Sequence, residues 1–308
     1  MRQFLAISSA AMVFSLVGYL GTVSAVEYAN PQLIVETSEL AEIMNKPNVR
    51  IVDARAQSEY KKGHIQGAVS LSFQEVDDPN SHIENELLPP ETLAKMLGSR
   101  GIGKDTQVVL YDGSGGFRAS RIFWMMEYMG HRNVALLNGG YPKWTKEGRA
   151  STKKIPKVTK ATFPVALIPR RVASADWLME RAGDTSVVVI DVRGAGGYNK
   201  GHIPWAKNIP WKGNINKDQT MKSADDLTAH FSSKGVTKDK NVAVHCQQGR
   251  AAAHSYYTLR LMGYPRVRSY DRSWAEWGKA DELPKVVKAS NPCAAKNPCA
   301  LKNPCAPK

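Results

Sequence analysis

The sequence predicts an α/β protein made of two copies of one domain, each a central parallel β-sheet flanked by α-helices. Three observations lead there. The chain repeats itself: "IVDARAQSEYKKGHIQGAVSL" from Ile51 lines up with "VIDVRGAGGYNKGHIPWAKNI" from Val189, so that Asp53 meets Asp191, Arg55 meets Arg193 and two Gly-His-Ile triplets coincide at one constant offset. Each copy alternates short β-branched runs with turns and helical stretches, the pattern of a parallel sheet covered by helices. Finally, 308 residues at 43% hydrophobic content suffice for two ordinary cores.

Taken in order, residues 1–25 read as a secretory signal peptide: an early Arg2, an apolar run, then small residues at Val23 and Ala25. The expected destination is the periplasm or outside the cell; the alternative is a retained membrane anchor. Residues 26–147 form the first copy and 148–170 a linker, polar and then apolar, whose apolar part can lie along a domain face. Residues 171–285 form the second copy, with strands expected at "SVVVID", "AKNIP", "NVAVH" and "VRSYD". The copies also align at "LAKMLGSRGIGKDTQVVLYD" from Leu93 with "LTAHFSSKGVTKDKNVAVHC" from Leu227, and at "NGGYPKW" with "YDRSWAEW". Residues 286–308 hold the repeat "NPCAAKNPCALKNPCAPK", expected to be disordered or extended because Pro breaks helix and sheet alike.

Lys plus Arg number 42 against 28 Asp plus Glu, a formal net charge of +14, which favours an anionic ligand or surface. No helix-turn-helix, zinc-finger or RNA-binding signature accompanies the charge, so nucleic acid is not an expected partner. Only Cys246 lies in the globular part, while Cys293, Cys299 and Cys305 lie in the tail, so no disulfide can form within the folded body. No cofactor is called for, and the tail cysteines match no usual zinc spacing.

Cys246 opens the turn between the strand Asn241–His245 and an Ala-rich helix. Backbone N–H groups of a tight loop at a helix N-terminus make a positive concavity that favours an anion and lowers a cysteine's pKa, so Cys246 is expected to be substantially thiolate. Arg250 in the same turn adds positive charge, and Gln247, Gln248 and Gly249 complete a substrate-binding loop. His245 neighbours the cysteine but points to the other face of the strand, which argues against a Cys-His dyad. His64 and His202 recur in both copies and read as structural, whereas His254 can lie near the pocket. Trp205, Trp211, Trp274 and Trp277 read as core and cleft wall.

These residues together resemble the rhodanese family of sulfurtransferases in its tandem form, with an inactive first domain and an active second one. The resemblance rests on the twin "D-x-R…GHI" segments, the strand-to-cysteine loop and "SWAEW", and runs to about Pro284. It implies Cys246 as nucleophile, two-step covalent transfer, and Arg193 brought towards the same pocket, the alternative for Arg193 being a structural pair with Asp191 that the Asp53–Arg55 pair repeats in the half without the cysteine. The thiolate takes sulfur from a small anionic donor such as thiosulfate, and the persulfide passes it to cyanide or a thiol. Asp112 in "LYDGSGGFRAS" takes the cysteine's place in the first copy; it is expected to cap the following helix and leave that half silent.

The loop "CQQGRA" matches neither the basic type of thiosulfate-preferring members nor the Gly-Ser-Gly type of mercaptopyruvate-preferring ones. Gly197 replaces the acid seen at Glu59, Trp205 stands where a small residue is usual, and Arg272 is an extra positive group near the cleft. Two other classes compete. A phosphatase of the related dual-specificity type needs a longer loop than the three residues between Cys246 and Arg250. A carrier of sulfur, selenium or a soft metal without turnover is suggested by the tail cysteines, which also offer a thiol link to a partner.

Overall fold

The structure, a computed structural model, describes residues 27–287. The first copy contributes strands β1 Ile34–Val35, β2 Val49–Asp53, β3 His64–Ile65, β4 Val69–Ser70, β5 Gln107–Tyr111, β6 Val134–Leu137 and β7 Ser151–Thr152. Its helices are α1 Thr37–Ile43, α2 Gln57–Lys62, α3 Pro90–Ser99, α4 Ala119–Tyr128 and α5 Gly140–Lys146. The second copy repeats the plan with β8 Val187–Asp191, β9 Gly201–His202, β10 Lys207–Asn208, β11 Asn241–His245, β12 Val267–Ser269 and β13 Val286–Val287. Its helices are α6 Ala175–Met179, α7 Ala195–Lys200, α8 Ala224–Ser232, α9 Arg250–Leu261 and α10 Ser273–Trp277.

The central strands β5 and β11 are almost wholly apolar and buried, as strands covered on both faces must be. The first sheet runs β1-β6-β5-β2-β4, every pair parallel. The second runs β10-β8-β11-β12, again parallel, and a parallel bridge from Val172 to Ser269 supplies the counterpart of β1. All four strands expected in the second copy are present.

The largest core is shared by both copies, because α4 and α9 are buried around nearly their whole circumference and pack on each other between the sheets, while each copy keeps a smaller core of its own. Phe123 meets Tyr257 edge-on at 5.0 Å. Polar groups on the same helices are paired across the seam: Glu127 accepts the Tyr256 hydroxyl at 2.6 Å and the Arg260 guanidinium at 3.1 Å.

The linker packs along the first domain rather than spanning freely. β7 pairs antiparallel with β3, Ala161 N–H donates to Gly98 at 2.9 Å, and Phe163 enters the core. Val165 and Leu167 stay exposed, so the apolar part packs only in places. At the other end the expected tail boundary needs correction: Val286–Val287 pair antiparallel with β9 and close the second domain as β7 closes the first. The signal-peptide residues and the tail cysteines lie outside the described residues. Among the described residues, no helix is long and apolar enough to cross a membrane.

Candidate active site

β11 delivers Cys246 to the loop Cys246–Gly249, and α9 begins at Arg250. The pleat sends His245 the other way, where its Nε2 sits 3.7 Å from Asp191 and burial holds its pKa low. No Cys-His dyad forms. Cys246 is only 3% exposed, with the N–H groups of Gln248, Ala251 and Ala252 turned on its sulfur.

The expected thiolate needs correction. Burial pushes the Cys246 thiol up, and the three N–H groups and the Ser273 hydroxyl pull the other way without winning. The resting sulfur is therefore a thiol held in a cradle shaped for an anion.

α10 clamps the loop from below. Cys246 N–H and Gly249 N–H both donate to the Ser273 hydroxyl at 3.1 Å, Trp274 N–H donates to the Cys246 carbonyl at 3.1 Å, and Ala275 N–H to that of Gln247 at 2.9 Å. Gly249 has φ +79°, and a Cβ there would collide with the side chain and carbonyl of Asp271. Ser273, also left-handed at φ +52°, is fully buried, and its importance escaped the sequence reading. The signal was present: the copies differ there, with Asp271-Arg272-Ser273 standing against Asn138-Gly139-Gly140.

The twin loop shows what the cradle holds. Asp112, fully buried at the end of β5, accepts the N–H groups of Ser114 at 2.8 Å and Gly116 at 3.0 Å on one oxygen. Its other oxygen accepts those of Arg118 at 2.6 Å and Ala119 at 3.0 Å. The expected capping role is what the structure contains: a carboxylate fills the anion site and leaves no nucleophile.

Arg193 does not turn into the pocket. It grips Asp191 at 2.5 Å and the Gly201 carbonyl at 2.6 Å, and lies over the Trp274 ring at 4.8 Å. Arg55 does the same with Asp53, the Gly63 carbonyl and Tyr141. A contact present in both copies is architectural, and Arg193 reaches the active loop only through Gln247 Oε1 at 3.2 Å.

Arg250 also departs from the expected anion contact. Its guanidinium pairs with Asp77 of the first copy at 2.7 Å and lies 4.8 Å over the Phe73 ring. Arg272 pairs with Glu86 at 2.6 Å and Glu276 at 3.0 Å. Gln247 is exposed, while Gln248 bonds to Glu84.

Behind them, the fully buried Arg121 pairs with Asp271 and, at 3.2 Å, with Asp77. Burial pushes the Asp271 carboxyl up, with Arg121 opposing. The chain Arg250–Asp77–Arg121–Asp271 thus runs from the mouth of the loop through the first copy and back to the residue under Gly249. The signal in the sequence is an Arg set directly before the apolar run "IFWMM".

His254 faces the seam between the copies: Nε2 meets the Gly115 carbonyl at 3.0 Å, and burial pulls its pKa to about 4. His64 and His202 are structural in both copies, each bonded to the carbonyl of a stacked tyrosine. Trp277 is core with Trp205 edge-on to it, and Trp211 packs between Phe117 and His254. Among the described residues, no group of three or more His, Cys, Asp or Glu is placed to hold a metal ion.

Two parallel sheets joined through one seam, one loop opening on a buried thiol and its twin opening on a carboxylate, define the class. The description "Rhodanese-like domain" matches residues 36–147 and 174–280, and the chain belongs to that family. It is similar to the sulfur carrier protein TtuD of Thermus thermophilus, at 34% identity over 83% of this chain and 97% of that one. The thiosulfate sulfurtransferase of Pseudomonas aeruginosa is 28% identical, over 84% of this chain and 99% of that one. The 3-mercaptopyruvate sulfurtransferase of Escherichia coli is 30% identical, over 80% and 94%. The crystal structure of the Escherichia coli protein SseA superposes with a TM-score of 0.73 at 30% identity, covering 79% of this chain and 98% of that one.

Proposed function

We propose that the protein is a sulfurtransferase that carries sulfane sulfur as a persulfide on Cys246. The observation behind this reading is the pair of loops: the cradle that binds a carboxylate in the first copy surrounds a single thiol in the second. After the thiol gives its proton to solvent, the thiolate attacks the outer sulfur of a donor such as thiosulfate. The donor's S–S bond breaks, sulfite leaves with the bonding pair, and Cys246–S–S⁻ remains. The N–H groups of Gln248, Ala251 and Ala252 then face the new anion, as an oxyanion hole faces developing charge. A nucleophile such as cyanide or a thiol takes the outer sulfur and returns Cys246 as thiolate. Arg250 meets a donor only by exchanging Asp77 for it.

Intact mass after incubation with thiosulfate, and separately with 3-mercaptopyruvate, tests this. One added sulfur that is absent in Cys246→Ser and discharged by cyanide is the expected result. Absence of the adduct with both donors would leave the second reading, a carrier loaded by another protein; the similarity to a sulfur carrier protein favours it next.

Export belongs to the same proposal and rests on the apolar N-terminal run with its small residues. N-terminal sequencing of the protein from its native cell should begin at Val26; a chain that still starts at Met1 would sink the idea.

A further inference from the structure

We infer that the C-terminal tail is the acceptor arm for Cys246: its lysines dock on an acidic rim at the mouth of the active loop, and its cysteines take over the sulfane sulfur. The inference rests on the persulfide reading above.

The rim runs against the charge of the molecule. Although the chain carries a formal +14, the cleft of about 430 Å³ beside Gln248 and Arg250 is lined by Asp77, Asp78 and Glu84. The neighbouring cleft of about 340 Å³ adds Glu86, Asp271 and Glu276. Arg250, Arg121 and Arg272 are spent on Asp77, Asp271, Glu86 and Glu276. Asp78 accepts the N–H of Asn80, and Glu84 bonds the neutral amide of Gln248. Negative charge is thus left next to the loop that carries the sulfur, a surface that attracts a cationic acceptor.

The tail has that chemistry. From Lys288 onward it holds Lys288, Lys296, Lys302 and Lys308, no acidic residue, and three of the chain's four cysteines. It leaves the fold at the right place. Val287 pairs with Gly201, Gly201 lies against Trp274, and Trp274 N–H donates to the Cys246 carbonyl. Followed through these contacts, the path from Val287 to the sulfur is no longer than roughly 25 Å on standard bond lengths. An extended chain reaches about 20 Å at Cys293, about 40 Å at Cys299 and about 60 Å at Cys305. The last two have reach to spare. Tethering converts the encounter into an intramolecular one, at an effective concentration on the order of millimolar.

The step conserves sulfur and electrons. A tail thiol gives its proton to solvent, and its thiolate attacks the outer sulfur of Cys246–S–S⁻. A new S–S bond forms on the tail while the old one breaks, and Cys246 leaves as thiolate. No oxidant is needed.

The test uses the full, fully reduced chain with less than one equivalent of thiosulfate, quenched over time, digested and mapped by mass. The added sulfur should appear first on the Cys246 peptide and then on peptides holding Cys299 and Cys305. The second phase should be independent of protein concentration and several-fold slower at high salt. Changing all four tail lysines to Gln should slow it several-fold and leave loading of Cys246 unchanged. The inference is overturned if sulfur loads on Cys246 and stays there, if the second phase scales with protein concentration, if the Gln variant transfers at the original rate, or if a Cys246–tail disulfide forms with release of sulfide. If Cys246 never loads, it is the persulfide reading that has failed.

Discussion

The carboxylate of Asp271, in the second copy, receives the fully buried guanidinium of Arg121 from the first. Asp271 is also the residue against which Gly249 closes the active loop. The ion pair therefore couples docking of the copies to the shape of the sulfur pocket. Arg121→Leu should strand the buried carboxylate of Asp271, leaving Asp77 to Arg250 alone, and cost about 3–5 kcal/mol in urea unfolding. Adding Asp271→Asn should return part of that loss. A single-variant cost below about 1 kcal/mol would mean that water screens the pair.

Glycine matters at one loop position and not at another nearby. Gly249→Ala would force a Cβ into Asp271 at a left-handed φ, so sulfur loading should fall at least about tenfold, with stability lowered by about 1–3 kcal/mol. Gly196 sits in α7 with open space around it, and Gly196→Ala should stabilise by about 0.5–1 kcal/mol with loading intact. Equal tolerance at both sites would contradict the geometry of the loop.

His254 should make the protein acid-sensitive. Its pKa falls from 6.5 to about 4 on folding, so between those values the unfolded chain binds more protons than the folded one. Its contribution is complete above pH 6.5 and is lost as pH falls toward 4, up to about 3 kcal/mol. Unfolding midpoints measured across that window should fall less steeply in His254→Gln than in the native chain.

Cys246 should alkylate slowly at neutral pH, because burial raises the thiol above its usual range. The iodoacetamide rate should keep climbing past pH 9. A plateau already reached at pH 7 would show that the N–H cradle outweighs burial.

The duplication, the parallel sheets and the reactive cysteine were legible because each leaves a local pattern: Asp53 and Asp191 in matching frames, β-branched runs, and one cysteine at a strand end. The surroundings of Cys246 were less so. Arg250 and Arg272 read as open positive charge because their partners, Asp77 and Glu86, come from an irregular stretch of the other copy with no periodic signature. The thiolate expectation failed for a related reason: the three N–H groups follow from local geometry, but depth of burial depends on everything packed above them. For Arg193 the sequence offered both a pocket role and an architectural one, and its repeat, Arg55, pointed to the architectural duty that the contacts show.

β7 and β13 end the two copies in the same way, each returning along the Gly-His-Ile segment of its own domain. That shared ending makes each strand the last element of its own domain, after which the chain is free to be extended. In the first copy the strand feeds the connector to the second domain. In the second the chain continues past Val287 from the domain that holds Cys246, so on the proposed reading any segment joined there, by descent or by design, is tethered to the sulfur-carrying half.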